Sequence, residues 1–200
     1  MKILNDDLKK FRIILASGSP RRRQLLEELG LDFEVVKREY PETFPENLKE
    51  KEIAEYLARE KANLWKKEIE KNEIIITADT IVWCNGRVLG KPSGKDEAFV
   101  MIKLLSGNTH EVITGVTLLS QVKERTFSET TKVTFGPLTP EEITFYIDNF
   151  KPYDKAGAYG IQEWIGLAAC TRIEGSYFNV VGLPVQMLYR ELLDFTKSMI

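Results

Sequence analysis

The chain has 200 residues, 43% hydrophobic and 29% charged, which argues against intrinsic disorder and suits one domain of ordinary size. With 28 Lys and Arg against 30 Asp and Glu, the net charge of −2 argues against a broad polyanion-binding surface and leaves room for one small anion in a local basic pocket. Two distant cysteines, Cys84 and Cys170, and a lone His110 exclude a disulfide framework, a zinc ribbon and a multi-histidine metal centre.

The opening MKILNDDLKKFR carries acids and lacks the apolar core of a signal peptide, and no run of ~18 apolar residues occurs. A soluble, cytoplasmic α/β domain over residues 1–200 is expected, with residues 1–11 as an N-terminal extension. Residues 11–16 read as a buried strand that breaks into Ser17-Gly18-Ser19-Pro20. Ser19 suits an N-cap and Pro20 the first helical position, so a helix follows, with Leu25, Leu26 and Leu29 on one side and Gly30 as its stop. Residues 31–36 form a second strand, 37–47 a loop with Pro41 and Pro45, and 48–70 a long amphipathic helix through Ile53, Tyr56, Leu57 and Leu64, with Lys61 nearer its polar flank. Residues 73–78 make another buried strand, ending at Asp79-Thr80. Residues 81–84 and 87–89 pair as a hairpin across Asn85-Gly86. A turn over 90–94 leads to a helix over 96–105, closed by Ser106-Gly107. Residues 109–120 and 126–135, rich in Val, Thr and Ile, are two longer strands. Thr139-Pro140-Glu141-Glu142 is a capping box opening a helix to residue 149. Residues 154–162 are polar and glycine-rich, 165–173 a strand, and Gly182-Leu183-Pro184 opens a final helix to about residue 197. This order predicts a mixed sheet with helices on its faces and no linker between domains.

Four segments carry chemistry. Arg21, Arg22 and Arg23 crowd the first turn of a helix, where the partial positive charge favours acids; for stability alone this is unfavourable by ~0.3–1 kcal/mol per charge. A bound anion reverses that sign, because N–H groups, the hydroxyls of Ser17 and Ser19 and guanidinium forks converge on phosphate. The alternative is that the arginines face solvent or pair with Glu27 and Glu28. Neither Gly90-Lys91 nor Gly94-Lys95 fits a Walker A loop, and no G-x-G-x-x-G occurs. Asp79, expected just beyond a buried strand, suits a Mg²⁺ ligand or a base toward water, or a cap on its own turn. Lys91-Pro92 offers a compact charge on a stiff turn, or no more than a solvated surface lysine. In residues 154–162, small residues permit close backbone approach while Lys155 and Gln162 can meet an anion and a base edge, or the glycines merely meet turn geometry. Glu42 and Lys61 are undistinguished by spacing, and His110 suits a strand start better than a catalyst.

Taken in order, LASGSPRRRQLLEELG, AREKA, ADTIV, GKP, LLSGNTHEVITGV, DKAGAYGIQ and GSYFNVVGLP resemble the Maf family of nucleoside triphosphate pyrophosphatases, over nearly the whole chain from about residue 13 to 193. The resemblance implies an elongated, two-lobed α/β fold: a mixed sheet flanked by helices with a central cleft, similar to inosine triphosphate pyrophosphatases. It implies cleavage between the α- and β-phosphates with a divalent cation, Mg²⁺ or Mn²⁺. By family roles Asp79 is the catalytic acid–base residue or metal ligand, Glu42 a carboxylate near the metal, and Ser19, Arg22, Lys61 and Lys91, joined by Lys155, the triphosphate grip. Arg21, Thr80 and Gln162 match the members that act on dTTP and UTP; those acting on 7-methyl-GTP carry Gln after the strand-end Asp. Arg23 as a third consecutive arginine, and Trp164-Ile165 after Gln162-Glu163 where glycine-rich sequence is common, are departures. The implied partner is a small-molecule nucleotide, with no nucleic acid and no membrane, and a homodimer stays open. A nucleotide-sensing regulator of cell division and septum formation with little turnover, or a 7-methyl-GTP pyrophosphatase, is the competing reading.

Overall fold

The computed structural model describes residues 8–197 and Met199; residues 1–7 of the expected N-terminal extension lie outside the described residues. Seven strands, β1 (Arg12–Leu15), β2 (Glu34–Val35), β3 (Glu73–Cys84), β4 (Arg87–Leu89), β5 (Thr109–Leu119), β6 (Glu124–Phe135) and β7 (Cys170–Glu174), make one sheet. Its order is β2-β1-β3-β5-β6-β7, with β4 paired to β3. β1 runs parallel to β2 and β3, while β3–β4 and β6–β7 are antiparallel, so the sheet is mixed as expected. The helices are α1 (Pro20–Glu28), α2 (Lys51–Asn63), α3 (Lys95–Leu105), α4 (Pro140–Phe150), α5 (Trp164–Ala169), α6 (Tyr177–Val181) and α7 (Val185–Lys197). The chain divides into two compact units.

The first unit holds the residues up to Asp79, Thr114–Glu129 and the chain from Gly182 onward. Its helix α2 buries Ile53, Ala54, Leu57, Ala58 and Ala62, a stripe at helical spacing. Part of that stripe packs directly on β5: a Cβ added to Gly115 would stand 2.3 Å from the Ala54 carbonyl oxygen, so only glycine fits there. Beyond Asn63 the expected long helix tightens into turns, with Trp65 N–H on the Ala62 carbonyl and Glu68 N–H on the Trp65 carbonyl. The apolar spacing continues through buried Trp65 and Ile69, which join Ile14, Ile75 and Leu119 in one cluster; that continuation makes the sequence read as helix past its real end. Arg38 closes this end, stacking 3.8 Å over the Trp65 ring and donating to the Leu64 carbonyl at 2.7 Å. The second strand, expected over 31–36, shrinks to Glu34–Val35; its two side chains are exposed, so no buried face extends it.

The second unit holds Thr80–Ile113 and Thr130–Val181. Its core gathers Val82, Ile102, Leu105, Phe135, Tyr146 and Ile147, among others. Asn85 and Gly86 both take positive φ, as the tight hairpin needs, and Thr139 with Glu142 closes the expected capping box. The strand expected over 165–173 is half wrong. Residues 164–169 form α5, which buries Ile165 and Ala169, one helical turn apart, and leaves Leu167 87% exposed; only Cys170 onward is strand. Helix α6, between β7 and Gly182, was not expected at all.

Candidate active site

The strand that carries Asp79 does not stop where expected. β3 runs unbroken from Glu73 through Asp79 and Thr80 to Cys84. Its parallel register with β1 ends at Leu15–Ile76, and its antiparallel register with β4 begins at Leu89–Val82. Asp79 therefore sits inside a strand, in the stretch between those two registers, and is 6% exposed. A carboxylate this buried requires partners.

Helix α2 provides one. The Thr77 hydroxyl donates to the Ala58 carbonyl at 2.7 Å, tying β3 to α2. Thr77 and Asp79 share a strand face, and Lys61 lies one helical turn beyond Ala58 less a residue, so the Lys61 ammonium meets the Asp79 carboxylate directly. The same ammonium lies 3.5 Å from Glu42, carried by the loop before α2. Two carboxylates 37 residues apart in sequence thus converge on one cation.

The basic turn meets the same strand. The Ser19 hydroxyl caps α1 by accepting from the Arg22 N–H at 3.4 Å, with Pro20 at the first helical position. Ser17 accepts from the Ser19 N–H at 3.2 Å and from the Arg22 guanidinium at 3.3 Å. That guanidinium also donates to the Ala78 carbonyl at 2.8 Å and to the Gly182 carbonyl at 2.8 Å. Burial pushes Arg22 below its ordinary range; the charges of Asp79 and Glu42 work in the opposite direction, and Arg21 adds to the lowering. Arg23 follows the bland alternative, pairing with Glu27 at 2.7 Å on the surface.

Ser17, Ser19, Arg21, Arg22, Glu42, Lys61 and Asp79 are thus close neighbours in the first unit. In the second unit, Thr80 is half-buried in β3, Lys91 is exposed on the loop after β4, and Gln162 is exposed. Lys155 is only 8% exposed, with its ammonium 2.8 Å from Asp154 and 3.1 Å from Glu163. Glu163 and Tyr146, to which the sequence assigns no role, are joined by a hydrogen bond. His110 starts β5 as expected and is buried, 2.8 Å from the Tyr159 hydroxyl. Among the described residues no group of three His, Cys, Asp or Glu forms a metal cluster.

The family profile described as "Maf-like protein" matches residues 12–195. The chain belongs to the Maf family. Its relatives include a Flavobacterium johnsoniae protein named dTTP/UTP pyrophosphatase, 51% identical over 190 residues, spanning 95% of this chain and 98% of that one. A Phocaeicola vulgatus protein of the same name is 54% identical over 190 residues, spanning 94% and 97%. Among solved structures, the Ham1 protein of Staphylococcus aureus shares 16% identity and a TM-score of 0.53 over 92% of this chain and 99% of its own, a likeness of fold. In this Maf chain the arginine turn and the Asp79 strand belong to one compact unit, the arrangement on which the anion reading depends.

Proposed function

We propose that this Maf protein is a cytoplasmic nucleoside triphosphate pyrophosphatase that hydrolyses dTTP and UTP to the monophosphate and pyrophosphate. The observation that carries the reading is the Arg22 guanidinium on the Ala78 carbonyl, which sets an anion-binding helix start beside a carboxylate already paired with Lys61. The names of the relatives at about 50% identity support the choice of substrate.

Asp79 and Glu42 would hold Mg²⁺ or Mn²⁺. The residues fit such an ion, because both carboxylates already face one cationic group, and Mg²⁺ typically takes one or two carboxylates with phosphate oxygens completing its shell. When bound, the ion neutralises charge on the polyphosphate. Ser17, Ser19, Arg21, Arg22, Lys61, Lys91 and Lys155 are assigned to the phosphates. Asp79 orients the attacking water and takes its proton, so the barrier falls mainly through positioning and charge. Thr80 and Gln162 are assigned to the base.

The test is a nucleotide panel with Mg²⁺ or Mn²⁺, quantifying pyrophosphate and monophosphate. UTP and dTTP should exceed GTP, ATP and 7-methyl-GTP by about tenfold or more in kcat/KM. Equal turnover of all nucleotides, or a preference for 7-methyl-GTP, overturns the specificity. Tight UTP binding without pyrophosphate release overturns the activity and favours a nucleotide sensor. Asp79→Asn should bind nucleotide and lose ~10²–10⁴ in kcat.

A further inference from the structure

The turn that carries Gln162 is closed at both ends by one phenol. The Glu163 N–H donates to the Gly160 carbonyl at 3.0 Å, which makes 160–163 a four-residue turn with Gln162 third. Ile161 inside it is 5% exposed, while Gln162 points to solvent. The Tyr146 hydroxyl accepts from the Gly160 N–H at 3.0 Å and donates to the Glu163 carboxylate. The other Glu163 oxygen lies 3.1 Å from the Lys155 ammonium. One glutamate therefore links Tyr146 on α4, the turn under Gln162 and the lysine at the start of the same loop.

The parts of this network are fixed. The Tyr146 ring is fully buried and stacked on Phe150 at 5.1 Å, and burial together with the Glu163 contact raises its pKa well above the usual phenol range, so it remains a neutral donor. A Cβ on Gly160 would lie 2.8 Å from the Glu163 carboxylate carbon. A glutamate held from two sides cannot swing away from it, so the position requires glycine. Lys155 has its charge matched by Asp154 and Glu163, two anions against one cation, which suits a tether as well as a ligand.

We propose that Glu163, acting with Tyr146, is a positioning residue that sets the Gln162 turn and so governs base selectivity, its second oxygen meanwhile holding the Lys155 ammonium. The inference deepens the pyrophosphatase reading and rests on it. It predicts that selectivity resides in how rigidly the turn is presented, beyond the identity of Gln162 itself.

Glu163→Gln keeps the shape and removes one of the two anions beside Lys155, leaving Asp154; Tyr146→Phe keeps the ring and removes the hydroxyl. Each should lower the ratio of kcat/KM for UTP over GTP by about tenfold, through KM for UTP, with kcat for UTP changed less than about threefold. A merely structural role would scale down turnover of every nucleotide equally by reducing the folded fraction. An unchanged ratio in both variants, or an equal loss on all nucleotides, overturns the proposal. Amide hydrogen exchange gives a readout independent of turnover: Tyr146→Phe should lose protection at Gly160 and Glu163 while α3 stays protected. If the wild-type protein releases no pyrophosphate, the activity reading falls alone, and exchange still decides whether Tyr146 holds the turn. Unchanged protection there overturns the positioning claim.

Discussion

Replacing Lys61 by Met removes the cation that faces two carboxylates. Breaking a fully buried ion pair from one side costs ~3–5 kcal/mol, because a charge is left without compensation. Here the side chains of Lys61 and Asp79 are 18% and 9% exposed, and the Arg22 guanidinium sits on the neighbouring Ala78 carbonyl. Residual hydration and that second cation reduce the expected loss to ~2–3 kcal/mol. For a chain of this length that is a Tm decrease of roughly 5–10 °C. Asp79→Asn leaves Lys61 still beside Glu42 and should cost less, ~1–2 kcal/mol. In the double variant neither buried charge is stranded against the other, so the combined loss should fall short of the sum by ~1–2 kcal/mol. Urea unfolding followed by tryptophan fluorescence on all four proteins measures this cycle. Additivity within ~0.5 kcal/mol would show that the two side chains do not sense each other, and the constructed site would lose its centre.

Three further outcomes follow from features of the two units. Arg22→Lys cannot reproduce a guanidinium spanning the Ala78 and Gly182 carbonyls, so it should cost ~1–2 kcal/mol of stability and raise KM for UTP about tenfold. Arg23→Ala loses only an exposed pair with Glu27 and should shift stability by less than ~0.5 kcal/mol with kinetics unchanged; calorimetry and steady-state rates that rank the two variants equally would refute the distinction. His110 is 2% exposed, and burial lowers its pKa from 6.5 to about 4. The unfolded chain therefore binds a proton that the folded one refuses. Stability from this group is complete above pH 6.5 and drains away down to pH 4, by about 3 kcal/mol in all. His110→Gln should flatten that part of the pH–stability curve, and an identical slope in both proteins would rule the histidine out.

Local chemistry in the sequence was enough to find the helix starts at Ser19-Pro20 and Thr139-Pro140, the Asn85-Gly86 hairpin and the basic first turn of α1. Each signal is complete within a few residues. The misread positions depend on distant partners. Asp79-Thr80 looks like the end of a strand because a carboxylate does not belong inside one; it is tolerated there because Lys61, 18 residues earlier on α2, reaches it. The 165–169 run is short and apolar, which suits a strand or a helix equally until burial of Ile165 and Ala169 decides the period. Glu42 and Lys61 came only through family resemblance, since nothing in their spacing sets them apart. Glu163 is not singled out by the sequence, which marks only Trp164-Ile165 after it as a departure; its tie to Tyr146 spans 17 residues and leaves no local pattern.

The contact of Gly115 with Ala54 links a missing side chain to electrostatics. With β5 and α2 touching backbone to backbone, the helix has no slack toward the sheet. The ammonium of Lys61 therefore inherits its height above Asp79 from a hydrogen atom two helical turns away. A methyl group at position 115 would act as a shim under that lever, lifting the cation off its anion without altering either charged residue.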